Sequence, residues 1–67
     1  MEVKDILKRE RKAHKYTQEQ VAKMLNIQRA SYAKYETGAN MPTVEGLKKL
    51  AEIYGKSMDY LAGRYKD

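Results

Sequence analysis

The heptapeptide QRASYAK, residues 28 to 34, gathers side chains suited to a planar polar surface. Arg29 presents a rigid fork of N–H donors, Gln28 carries a donor and an acceptor on one amide, and Lys34 adds a point charge. Ala30 is small enough to permit close approach and offers only a methyl group. On a helix Ala30 and Lys34, four apart, share a face that Arg29 and Ala33 border. Base edges in the major groove of duplex DNA ask for such residues: arginine grips guanine O6 and N7, glutamine pairs with adenine, and a methyl meets the thymine methyl. An ordinary solvated helix face would carry the same residue types, so the heptapeptide alone leaves both readings open.

A reader helix has to be held by others, and the sequence supplies them. Apolar residues recur at spacings of three and four: Val3, Ile6 and Leu7; Val21, Ala22 and Leu25; Val44, Leu47, Leu50, Ala51 and Tyr54. Strand-type alternation is missing. Thr17 followed by Gln20 forms a capping box, and Tyr16 with Val21 has the spacing of a hydrophobic staple, so a second helix is expected from Gln18. Asn26 stands where a left-handed residue ends that helix. Tyr32 and Tyr35 are expected in the core, against the second and fourth helices, together with Ile27. Gly38, Asn40 and Pro42 make a loop, Thr43 caps a fourth helix that Gly55 ends, and Ser57 with Asp59 opens a short fifth. The expectation is one all-α domain over residues 1–67, of about five short helices, with a helix-turn-helix at about residues 17–36.

Composition narrows the classes of function. Fourteen Lys and Arg against nine Asp and Glu give a net charge of +5, and residues 1–16 hold six of the basic side chains against three acidic ones. That balance favours polyanionic partners, though it also serves solubility. With no cysteine there is no disulfide or thiolate chemistry, and a lone histidine, His14, builds no metal site by itself. No nucleophile neighbours His14 in sequence and the carboxylates have no catalytic spacing, so an enzyme is not expected and no cofactor is called for. No apolar run reaches the roughly 18 residues of a membrane span, and MEVKDILKRERK lacks the apolar core of a signal peptide. A soluble, cytoplasmic chain is expected.

From about Leu7 to Gly63 the chain resembles the phage repressor and Cro family of helix-turn-helix proteins, the Xre-like group. The residues that carry the resemblance are TQEQVA at 17–22, Leu25 and Ile27, YE at 35–36 followed by Gly38, NMP at 40–42, LKKLAEIYG at 47–55 and SMDYLAG at 57–63. The resemblance implies a compact five-helix, lambda-repressor-like DNA-binding domain. It also implies roles. Arg29, Ala30 and Lys34 match groove-facing positions, with Gln28 beside them; Gln18, Ser31, Thr37 and Asn40 match or adjoin positions that meet phosphates. Arg11 and Glu36 match a partly buried structural ion pair, and Met58, Tyr60, Leu61 and Tyr65 form a candidate dimer patch. The sequence departs from the family at four places. Lys15 stands where glycine or asparagine is common, Asn26 replaces glycine, Gln28 replaces a small capping residue, and Glu10 holds a position more often apolar. Glu10 is expected either to thin the contact made by the first helix or to interact with a nearby lysine or arginine.

The expected function is that of a small sequence-specific regulator that binds double-stranded DNA, most simply a homodimeric repressor on a pseudo-palindromic operator. The alternative is a protein-interaction module of the same fold, an antitoxin or coactivator segment, in which the basic face is incidental. Structured RNA is disfavoured because a helix does not enter the deep, narrow A-form major groove. Whether 67 residues are a whole regulator or the N-terminal domain of a longer one stays open at this level.

Overall fold

The computed structural model describes residues 1–63. Five helices follow one another: α1 Val3–Ala13, α2 Gln18–Met24, α3 Arg29–Thr37, α4 Val44–Tyr54 and α5 Met58–Leu61. No strand occurs among the described residues. α3 packs against α2 and α1, and α5 packs against α4 and α1, so α1 is the spine that both halves share. The two α3 tyrosines meet α4 as expected, Tyr32 through the Tyr54 hydroxyl and Tyr35 across a cleft that Leu25 and Gly46 also line, while the α3 backbone itself lies closest to α1 and α2.

Polar caps set where the helices begin. The Thr17 hydroxyl accepts from the Gln20 backbone N–H at 3.1 Å while Gln20 Oε1 accepts from the Thr17 N–H at 2.8 Å. Two otherwise orphaned donors are satisfied at once, which fixes the start of α2. Thr43 and Ser57 accept in the same way from Gly46 and Tyr60, each at 3.0 Å, at the starts of α4 and α5. Helix ends rely on left-handed residues. Asn26 has φ 60° and turns the chain from α2 into α3, while Gly38 (φ 85°) and Gly55 (φ 65°) close α3 and α4. Lys15, also at φ 60°, occupies a conformation that costs a residue with a Cβ roughly 1–2 kcal/mol.

The core is built from all five helices: Ile6 and Leu7, Val21 and Ala22 with Leu25, Tyr32, Leu50, Ala51 and Tyr54, and Leu61. At its centre the Tyr32 and Tyr54 hydroxyls lie 3.0 Å apart in a buried hydrogen bond. Burial is the main cause that pushes both phenols up, Tyr54 to about 12 and Tyr32 further, so both stay neutral in the folded protein. Tyr35 is half-buried, meets Tyr32 edge to face at 6.1 Å, and lines a shallow cleft with Leu25, Ile27 and Gly46.

Glu10 departs from expectation in its partner. It is buried, and its carboxylate accepts from the Tyr60 hydroxyl at 2.9 Å rather than pairing with a neighbouring lysine or arginine. Arg9 donates to the same hydroxyl, and the Arg9 and Lys56 cations lie 5.9 and 5.2 Å from the Tyr60 ring centre. Tyr60 thus pins α5 to α1. Leu61 has no exposed surface at all, so it closes the core and has nothing to offer a second copy. Met58 is half-buried against the core, and Tyr65 lies outside the described residues. Of the expected dimer patch, only parts of Met58 and Tyr60 remain at the described surface.

Candidate nucleic-acid interface

With about 3.6 residues per turn, the nine residues of α3 divide cleanly between inside and outside. Tyr32 and Glu36, four apart, point inward and are buried. Ala30, Lys34 and Thr37 form the opposite face and are exposed, with Ser31 at its edge; Arg29, the first residue of α3, is exposed at the N-terminal end of the helix. The hydrophobic residues of α3 fall on the inward side because α1 and α2 cover it there, and this leaves the polar face unpartnered. None of the side chains of Gln28, Arg29, Ser31, Lys34 and Asn40 is engaged in a hydrogen bond or ion pair among the described residues. Their donors are available to a ligand.

Gln28 is the N-cap of α3, in extended conformation, without a side-chain hydrogen bond to the helix. Its amide is therefore not used up in capping. Thr37 differs: its hydroxyl donates to the Lys34 carbonyl at 3.2 Å and accepts from the Ala39 N–H at 3.3 Å. A hydroxyl has one proton to donate, so Thr37 closes the end of α3 and has no free donor for a phosphate in this state. The Asn40 N–H donates to the same Lys34 carbonyl at 3.2 Å, which ties the following loop to α3 while its side chain stays exposed.

The orientation of α3 is fixed from behind by a buried ionic network. Arg11 donates from Nε to Glu36 Oε2 at 2.7 Å and from Nη2 to Oε1 at 3.1 Å, and its Nη1 reaches the Tyr16 carbonyl at 3.0 Å. The Glu36 side chain is only 1% exposed, a depth at which an unpaired carboxylate is very costly. Gln18 Nε2 adds a third donor at 3.1 Å. Burial pushes the Glu36 carboxyl up, but the interactions with Arg11, Tyr32 and Gln18 outweigh it and hold the group below its ordinary value. Arg11 is raised in turn, chiefly by its hydrogen bond to Glu36. Gln18 therefore faces both ways: one amide proton is committed to Glu36 and a second is left over, at the first position of α2 where the backbone N–H groups are also unpaired by the helix.

The sequence reading missed this carboxylate partner of Gln18, for which spacing gave no signal. It also missed the setting of His14, whose ring lies 5.9 Å from that of Tyr16 and 5.3 Å from that of Tyr54, with Nδ1 2.9 Å from the Glu10 carbonyl. No group of three or more His, Asp or Glu side chains among the described residues could hold a metal ion, and no helix there is long and apolar enough to cross a membrane.

A capped helix, a tight left-handed turn and a second helix whose outer face is free define a helix-turn-helix domain. Residues 7–61 match the family described as helix-turn-helix, and the chain belongs to that family. It is 43% identical over 65 residues to the cryptic phage CTXphi transcriptional repressor RstR of Vibrio cholerae, covering 97% of this chain and 58% of that protein. The chain spans about half the length of the curated relatives it matches. Among solved structures it is similar to a transcriptional regulator from Listeria innocua, with a TM-score of 0.90 and 32% identity over 98% of this chain and 62% of that one. The P22 c2 repressor protein, solved in complex with a synthetic operator, shares the fold at a TM-score of 0.90 with 23% identity, covering 97% of this chain and 98% of that one.

Proposed function

We propose that this chain is a sequence-specific binder of double-stranded DNA and acts in transcription regulation, as a repressor that occupies a pseudo-palindromic operator as a homodimer. The observation that carries the reading is the free polar surface of α3, with Ala30 and Lys34 exposed on its outer face and Arg29 exposed at its N-terminal end, all unengaged on a helix that is locked from behind by Arg11 and Glu36. A donor-rich face that is rigid before it meets its ligand suits base recognition, because little ordering remains to be done on binding. Membership of the helix-turn-helix family and the likeness to a phage transcriptional repressor support it.

In this reading Arg29 takes a guanine edge, Ala30 lies against a thymine methyl or leaves room for one, Lys34 supplies charge in the groove, and Gln28 reaches an adjoining base. Gln18 through its spare amide proton, Ser31 and Asn40 hold phosphates, which sets register without reading sequence. Arg11 is not a DNA contact, since its guanidinium is committed to Glu36 and Tyr16. A single domain of this kind reads few base pairs, so two-fold pairing of chains is the route to a site of useful length. Such a regulator works in the cytoplasm.

Selection of duplexes from a random library at about 150 mM salt, where purely electrostatic binding is weak, tests the proposal when the bound complex is also sized. Enrichment of an inverted repeat held by two chains is the expected result. Binding only at low salt without enrichment would overturn it and favour the protein-interaction alternative. Placing the recovered site upstream of, or across, a promoter in a reporter then separates repression from activation.

A further inference from the structure

Gly38 closes α3 in a left-handed conformation, and the bare backbone there is covered by a side chain from the beginning of the chain. The stem of Lys4 lies so close that a Cβ at position 38 would come within 2.9 Å of its Cδ, with Cε and Cγ at 3.8 and 3.9 Å. Lys4 belongs to the first turn of α1 and is half-buried, yet its ammonium group makes no hydrogen bond or ion pair among the described residues. A lysine stem that is already packed has lost part of its rotamer freedom before any ligand arrives, so less is lost when the head group binds. The fold thus delivers a partly ordered, unpaired cation to the end of α3, next to the loop that carries Asn40.

Resting on the DNA-binding reading above, we infer that Lys4 is a phosphate-positioning residue, which reaches past Gly38 to neutralise a backbone phosphate on the side of the site that Asn40 faces. Lys8 and Lys12, on the same helix, are more exposed than Lys4, so they add to the field around the site. The competing role for Lys4 is purely structural, a cation that balances the carbonyl end of α3. The two roles separate experimentally. A structural cation affects the free domain, whereas a phosphate contact changes how binding depends on salt.

The test uses the full chain and the duplex recovered by selection, with affinity measured across a salt series for the wild type, Lys4→Met, Lys4→Arg and Lys48→Met. Methionine keeps the apolar stem over Gly38 and removes the charge. Lys4→Met is expected to weaken binding about five- to tenfold at about 0.1 M salt, uniformly across operator variants, and to make the log–log salt slope shallower by about 0.9 per bound chain. Lys4→Arg should retain the wild-type slope, and so should Lys48→Met on the outer face of α4. An unchanged slope for Lys4→Met, with or without a lower melting temperature of the free protein, would overturn the assignment and leave the structural role. Failure of the wild type to bind any duplex would instead overturn the DNA-binding reading, and the role of Lys4 with it.

Discussion

The Arg11 guanidinium and the Glu36 carboxylate meet in a two-pronged hydrogen bond, Nε to Oε2 at 2.7 Å and Nη2 to Oε1 at 3.1 Å, that ties α1 to the last turn of α3. The pair holds the proposed reading helix at a set angle to the rest of the domain while leaving its outer face free. Removing one partner strands the other in the interior. Arg11→Ala and Glu36→Ala are each expected to destabilise the domain by about 3 kcal/mol or more. Arg11→Lys recovers only part of that, because an ammonium cannot reproduce the planar fork. Urea denaturation of the free protein checks both statements, and losses within about 0.5 kcal/mol, typical of an exposed pair, would show that the bridge is not buried in solution.

The same network predicts how stability depends on pH. Because the Glu36 carboxyl is held below its ordinary value of 4.5 in the folded chain, the unfolded chain binds the proton first as pH falls. Its contribution is therefore fully present above about pH 5 and is lost progressively as pH drops through the folded value. Tyr32 and Tyr54 are raised, so their contribution is present below about pH 10 and is lost as pH rises toward and beyond 12. Glu36→Gln should flatten the acid limb of a stability profile and leave the alkaline limb in place. An acid limb of unchanged steepness in that variant would mean that other carboxylates cause it.

Tyr60 and Glu10 make a second cross-link, between α5 and α1. Tyr60→Phe leaves a buried carboxylate without its hydroxyl donor and should cost about 1–3 kcal/mol. Adding Glu10→Leu to that variant removes the orphan as well, and most of the loss should return. Additive losses in the double-mutant cycle would contradict a direct interaction.

Lys15 shows the opposite sign. Its left-handed backbone, φ 60°, favours glycine, so Lys15→Gly should stabilise the domain by up to about 1 kcal/mol once the extra freedom of the unfolded glycine chain is counted. Lys15→Val should destabilise it by more than that. Thermal unfolding of the two variants beside the wild type decides the matter.

Much of this architecture is legible in the sequence because helix starts and stops are local events. Thr17, Gln20, Thr43 and Ser57 sit where capping chemistry needs them, and Asn26, Gly38 and Gly55 sit where a left-handed stop is needed, so the boundaries follow from short-range rules. The outer face of α3 is legible for the same reason, since it is what remains after Tyr32 and Glu36 turn inward. Long-range partners are another matter. Nothing near Glu10 in sequence points to Tyr60, nothing near Gln18 points to Glu36, and nothing near Lys4 points to Gly38, because each pairing depends on how helices far apart in the chain cross. Leu61, which the family resemblance puts in a candidate dimer patch, is buried instead, and a four-residue helix such as α5 is too short for its hydrophobic pattern to reveal which side faces in.

In the proposed function the exposed side chains of α3 read base edges. Parallel selection from one random duplex library by the wild type and by Arg29→Ala tests it most directly. The two recovered motifs are expected to agree except at one base-pair position per half-site, where the variant loses its preference and about 1–3 kcal/mol in affinity for the wild-type site. Identical motifs from the two proteins, or no enrichment from either, would contradict it.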